Sequence, residues 1–202
     1  MTLGFHKNKS WLPYLAAVSG AFITYFSMYA FRKPFTASTY GDLELWGVDY
    51  KIILVITQVV GYTLSKFIGI KVVSELKPGR RILYVLSLIS VAWIALLFFG
   101  LIPYPYNFIC LFFNGLPLGM IWGIVFAFLE GRKQTELLAA GMASSFIVAS
   151  GFVKTVGNKL ILDGVNEFWM PFLTGAIFIP SLLIGLWLLS KVPPPSEEDE
   201  SN

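Results

Sequence analysis

The sequence predicts an all-α polytopic membrane protein with six transmembrane helices, and three observations carry that prediction. Of the 202 residues, 56% are hydrophobic and only 13% charged, against roughly 45–50% and 25% in soluble globular chains. The mean hydropathy is +0.70. Six apolar stretches each approach the roughly 20 residues that a helix needs to cross a hydrocarbon core about 30 Å thick. Together they occupy more than half of the chain, which leaves no loop with room for a folded soluble domain. The expected organisation is a tail over residues 1–10, one membrane domain over 11–192, and an acidic, proline-rich linker over 193–202.

The first apolar run is Trp11–Phe31, too long for the apolar core of a signal peptide and without a small-x-small cleavage site, so it reads as a retained helix. The others are Tyr50–Ile70, Ile82–Ile102, Tyr106–Leu129, Leu137–Leu162 and Phe168–Ser190. Turn signals separate them, among them Lys77-Pro78-Gly79, Pro103-Tyr104-Pro105 and Asp163-Gly164. The runs are continuous rather than alternating, which argues for helices and against the short two-faced strands of a membrane barrel. The largely uncharged Pro34–Tyr40 segment has room to prolong the first helix beyond Arg32 and Lys33, with Pro34 as a kink.

Orientation follows from the lysines and arginines near span ends. The termini and the even-numbered loops hold Lys7, Lys9, Lys71, Lys77, Arg80, Arg81, Arg132, Lys133 and Lys191; the odd-numbered loops hold Arg32, Lys33, Lys51 and Lys159. Nine against four predicts both termini in the cytoplasm. Several chemistries are excluded at this stage. The lone cysteine, Cys110, has no disulfide mate, and the lone histidine, His6, lies in the polar tail. A His/Cys metal cluster, bis-histidine haem and an intramembrane nucleophile with a histidine base therefore lack their residues, and neither a metal nor a cofactor is expected. The net charge of +3 resides in loops rather than in a basic stripe interleaved with aromatics, so no nucleic-acid partner is expected.

Ionisable groups inside a span are costly and normally face a cavity or a partner. Arg32 follows Tyr25 and Tyr29 by seven and three residues, so all three share one helical face, unless Arg32 and Lys33 only cap the span and snorkel to headgroups. In the second span Gln58, Tyr62 and Lys66 recur every fourth residue, the pattern of a wall facing water. In the fifth, Lys154 lies more than halfway along, between Ser150 and Asn158. No aspartate or glutamate lies deep in any span; Glu130 sits at a helix end. Deep cations without internal counter-ions imply that the negative charge arrives from outside, most economically on an anionic substrate. Gly115, Gly119 and Gly123 form a small-residue stripe in the fourth span. Gly141, Ser145 and Ala149 repeat it in the fifth, so helices four and five are expected to pack on each other or on other tight partners. Trp122 either lines a cavity or fills a gap.

In order along the chain, these residues resemble the N-terminal six-helix half of a major facilitator superfamily transporter, especially its organophosphate:phosphate antiporter branch, over about Tyr14–Val192. Tyr25-x-x-x-Tyr29-x-x-Arg32-Lys33-x-Phe35 resembles that branch's first-helix motif, whose arginine binds the substrate phosphate. Gly61-Tyr62-Thr63-Leu64-Ser65-Lys66-Phe67-Ile68-Gly69 is similar to its second helix, where the tyrosine and lysine face the cavity. Ser74-Glu75-Leu76-Lys77-Pro78-Gly79-Arg80-Arg81 resembles the loop between helices two and three, with Glu75 where aspartate is usual. Gly119-Met120-Ile121-Trp122 resembles the fourth-helix segment with its cavity tryptophan. Two departures stand out: Ser150 occupies the place of the branch's helix-five histidine, and Pro34 that of an asparagine.

The resemblance implies a secondary transporter of a small organic anion, an organophosphate among the candidates, working by alternating access in the cell (inner or plasma) membrane. Arg32 would be the principal anion ligand, Lys66 and Lys154 would add positive potential, and Tyr25, Tyr29, Tyr62, Gln58 and Trp122 would shape the cavity. Glu75, Arg80 and Arg81 would form a gating loop. Its partners would be the bilayer, the anion, and either a second six-helix half or a homodimer mate, because this superfamily builds its site between two halves. The alternative is a transporter-like sensor or interaction subunit that binds an anion without flux. An enzyme is not expected, since no carboxylate pair and no Gly-rich phosphate loop accompany the missing histidine.

Overall fold

Apolar runs leave backbone N–H and C=O groups no partner but their own turns, and the chain folds accordingly. The computed structural model describes residues 12–131 and 135–192. His6, Lys7, Lys9, Arg132, Lys133 and the acidic run of residues 193–202 lie outside the described residues. Six helices are formed: α1 (Leu12–Met28), α2 (Tyr50–Ser74), α3 (Arg81–Leu101), α4 (Phe108–Phe126), α5 (Thr135–Leu162) and α6 (Met170–Ser190). The segments Tyr50–Ser74, Pro78–Leu101, Phe108–Phe126, Ala139–Leu162 and Met170–Ser190 are long and apolar enough to cross a membrane.

The first of the six expected spans is not among these five, its apolar helix being shorter, and it differs from its expected form. Its α-helix stops at Met28 and tightens into a 3-10 turn over Tyr29–Phe31, and a second 3-10 turn covers Pro34–Ala37 in place of a kinked continuation. The physical cause is Pro34, which has no N–H to give the carbonyl of Ala30 and so ends the i→i−4 ladder. After Ser38 the chain makes a small hairpin that the sequence reading did not contain. Strands β1 (Glu44–Leu45) and β2 (Val48–Asp49) pair antiparallel across Trp46 and Gly47, both at positive φ. That is the backbone of the favoured two-residue hairpin turn.

The loops at this end are bound to one another. The Tyr40 amide donates to Glu167 Oε2 at 2.6 Å, and the Tyr40 hydroxyl to the Phe35 carbonyl at 2.9 Å. Burial, with the Glu167 carboxylate adding to it, pushes the Tyr40 hydroxyl well above the usual tyrosine range, so it remains a donor. The Tyr50 hydroxyl bonds Asn107 Oδ1, Asn107 Nδ2 reaches the Phe99 carbonyl at 3.2 Å, and the Tyr104 hydroxyl bonds the Glu44 carbonyl.

Within the bundle, α4 packs on α2 and α3, while α1 packs on α5 and α6. Exchanging α1, α2 and α3 for α4, α5 and α6 carries one set of contacts into the other, so the six helices read as two similarly packed triplets. The α2–α4 seam is the more extensive, and the glycine stripe explains it. A Cβ on Gly115 would collide with the Gln58 carbonyl, and one on Gly119 would lie 2.5 Å from the Tyr62 carbonyl. In a bilayer, where lipid tails are as apolar as leucine, such close backbone approach supplies the packing attraction. Of the two expected arrangements the second is seen, each stripe facing another partner: the α4 glycines serve α2, and Gly141 of α5 faces Val18 of α1. Sparse polar links add direction, with Ser27 and Ser181 hydroxyls 2.6 Å apart and Trp93 Nε1 donating to the Phe172 carbonyl at 3.0 Å.

Gly115→Ala is expected to lower the stability of the detergent-solubilised protein by about 1–3 kcal/mol through overpacking against backbone. Gly151→Ala, whose Cβ meets nothing within 4 Å, should leave it unchanged. Thermal unfolding of the two variants checks the contrast.

Candidate functional site

Tyr62 is the middle residue of the 25 in α2, with about 18 Å of helix to either side. The Arg32 guanidinium carbon stands 3.8 Å from the centre of its ring and 5.8 Å from that of Tyr29. The cation expected near the end of the first span thus lies level with the middle of α2. Lys66, one turn further along α2, places its ammonium 5.1 Å from the centre of the same Tyr62 ring. Two cations thus contact one aromatic ring, each gaining about 0.5–2 kcal/mol depending on its hydration.

The aromatic residues form a continuous line from this centre. Tyr29 meets Tyr25 edge-on at 5.6 Å, Tyr25 meets Trp122 edge-on at 5.1 Å, and Trp122 stacks on Phe126 at 6.3 Å. Tyr29 also stacks on Phe146 of α5 at 6.5 Å. Tyr25, Tyr29, Arg32, Tyr62, Lys66 and Trp122, which the sequence singled out on three separate helices, are therefore one contiguous group. Lys154 is near enough to Lys33, the neighbour of Arg32, for their charges to interact, and makes no direct contact with the group.

Gln58 departs from its expected role. It is 4% exposed, and its amide nitrogen donates to the Arg32 carbonyl at 2.9 Å and to Asn114 Oδ1 at 2.7 Å. It faces the protein interior rather than a water-filled wall, because the broken end of the first span fills the space it points into. Asn114, quoted in the sequence only for its place beside the glycine stripe, is fully buried and completes the same network. A buried asparagine among apolar neighbours was the signal available for it.

No acid balances the cations. Among the described residues the one ion pair within 4 Å joins Lys159 to Asp163, exposed at the far end of α5. Arg32 is half-buried, and its Nε is fully buried without a hydrogen-bond partner. A buried guanidinium N–H left unpaired in this way costs about 1–3 kcal/mol.

From Lys66 a cavity of about 510 Å³ runs along the α2–α4 seam past Met120 and Trp122 to Arg81 and Glu130. Arg81 stands at that end: its Nη1 donates to the Ala127 carbonyl at 2.6 Å, its guanidinium lies 5.5 Å from the Phe128 ring centre, and it interacts with the charge of Glu130. Of the expected gating residues, Arg81 thus ties the start of α3 to the end of α4. Glu75 and Arg80 are exposed, and no ion pair joins Glu75 to Arg80 or Arg81. Among the described residues no group of three or more His, Cys, Asp and Glu side chains gathers as a metal site would require.

Fold and site together define an all-helical protein with membrane-length apolar helices around a half-buried cationic and aromatic centre. Residues 34–202 match the family described as a family of unknown function, DUF5690, and the chain belongs to that family. No curated protein and no solved structure matches it.

Arg81→Ala is expected to speed amide hydrogen exchange at residues 127–131 by roughly tenfold, as loss of a charge-assisted bond worth about 1.5–3 kcal/mol requires. Arg80→Ala should leave those amides unchanged. Exchange measured by mass spectrometry compares the two.

Proposed function

We propose that the chain is the N-terminal six-helix half of a secondary transporter of the major facilitator type. It moves a small organic anion, with an organophosphate the leading candidate, across the cell (inner or plasma) membrane by alternating access. The observation that carries this reading is the Arg32 guanidinium at the middle of α2, flanked by Lys66 and Lys33 with no internal acid. Its planar fork suits a phosphate or carboxylate, to which it gives two directed, charge-assisted bonds. Lys66 and Lys154 add potential, and Tyr25, Tyr29, Tyr62 and Trp122 form the wall.

Three further observations support the reading. The contact pattern that maps α1–α3 onto α4–α6 is the pattern expected of the nested three-helix repeats in such a half. The first span is discontinuous beside the cation, as helices at transporter sites commonly are. The excess of lysine and arginine on the even-numbered loops supports cytoplasmic termini. Arg81, held on the end of α4, acts as the latch that breaks and reforms as the half rocks. A second six-helix half, or a second copy of this chain, supplies the opposite wall and further ligands.

Uptake of labelled phosphate and labelled glycerol phosphate by the cells in which the protein occurs, where any second half is also present, tests the reading against cells lacking it. Arg32→Lys keeps the charge and removes the fork, so uptake is expected to fall about tenfold or more. Undiminished uptake in that variant overturns the assignment of Arg32, and saturable binding without uptake by the native protein assigns a sensor instead.

A further inference from the structure

After Met28 the first span continues as 3-10 turns over Tyr29–Phe31 and Pro34–Ala37, so the carbonyls of Phe31, Arg32 and Lys33 lose their α-helical partners. Their partners can be accounted for one by one. The Lys33 carbonyl accepts from the Thr36 amide at 3.0 Å and the Thr36 hydroxyl at 2.8 Å. The Phe31 carbonyl accepts from Asn114 Nδ2 at 2.9 Å, and the Arg32 carbonyl from Gln58 Nε2 at 2.9 Å. The two amides also bond each other, Gln58 Nε2 to Asn114 Oδ1 at 2.7 Å, and Asn114 Nδ2 makes a further bond to the Ala92 carbonyl of α3 at 2.9 Å. Both donors are thus shared between a break in the first span and the helices around it.

From this geometry we infer that Asn114 and Gln58 are positioning residues: their paired amides clamp the unwound backbone at Phe31 and Arg32, and so set where the Arg32 guanidinium stands. α2 holds residue 32 twice, its carbonyl by Gln58 and its side chain by Tyr62, one turn apart on the same helical face. α4 holds the preceding residue through Asn114, immediately before Gly115, whose missing Cβ lets α4 lie on the Gln58 carbonyl. The close α2–α4 seam and the aim of Arg32 are therefore one structure, and a shift of α4 along α2 moves the cation. The clamp stands on the hydrogen bonds alone; its consequence for anion binding rests on the function proposed above.

Arginine modification separates the two. The purified full chain in detergent is treated with phenylglyoxal, and the rate at Arg32 is read by mass spectrometry against the exposed Arg80 of the same molecule. Gln58→Met removes the donor to Arg32 while Asn114 keeps its bonds to Phe31 and Ala92. The Arg32-to-Arg80 rate ratio is expected to rise about fivefold or more, the size of effect that loss of one buried hydrogen bond allows. If Gln58→Met does not fold, Gln58→Asn withdraws the amide by one methylene and carries the same expectation. A merely stabilising amide would lower the unfolding midpoint and leave the ratio unchanged, and an unchanged ratio in a folded variant overturns the inference. Inorganic phosphate added to the native protein is expected to protect Arg32, at a several-fold higher concentration in Gln58→Met. A raised ratio with no phosphate protection in the native protein keeps the clamp and removes the anion site. A raised ratio with unaltered protection overturns the positioning role.

Discussion

A helix that breaks inside a membrane-spanning bundle exposes carbonyls that lipid cannot bond, and the arrangement of this protein depends on how that debt of hydrogen bonds is met. Pro34 makes the break by withholding an N–H from Ala30. Asn114 and Gln58 meet it with two side-chain amides from neighbouring helices. An unbonded peptide group in an apolar setting costs several kcal/mol, so the amides and the break belong together. What the arrangement gains is a guanidinium level with the middle of α2.

The same constraint explains the packing. With no hydrophobic drive between helices in lipid, contact has to come from close approach, and Gly61, Gly115 and Gly119 provide it along the α2–α4 seam. Asn114 needs that approach to reach Gln58, and Gln58 needs it to be dry. The cationic centre is thus supported from behind by close-packed backbone while its front is aromatic. Of that centre, Lys66 and Trp122 line the cavity that reaches Arg81.

The spans were legible because composition alone sets them: α2 starts at Tyr50, α5 ends at Leu162 and α6 ends at Ser190, where the apolar runs end. Turn residues at Pro78-Gly79 and Asp163-Gly164 marked boundaries that the helices respect. The break after Met28 was foreshadowed only by Pro34, since local sequence says that a helix is disturbed and not what replaces it. The β1–β2 hairpin is two residues per strand, too short for any periodicity to register. Neighbour relations were not legible either. A small-residue stripe says that something approaches closely without naming the partner, which proved to be α2 rather than α5. For the site, Arg32, Tyr25, Tyr29, Tyr62, Lys66 and Trp122 were readable because polar or aromatic residues at helical spacing stand out against valine and leucine. Gln58 stood in the same stripe, yet its burial and its bond to a backbone carbonyl are tertiary facts, and Asn114 carries no spacing that distinguishes it from a packing residue.

The central claim is that Arg32 is retained for an incoming anion at some cost to the resting protein. Groups kept for function in that way destabilise the structure that holds them, so their removal stabilises it. The most direct test is the thermal unfolding midpoint of Arg32→Met against the native protein, each with and without inorganic phosphate. The account predicts that Arg32→Met unfolds at the same temperature or higher, and that phosphate raises the midpoint of the native protein alone. A variant that unfolds well below the native protein, with phosphate moving neither, would make Arg32 a structural residue and contradict the account.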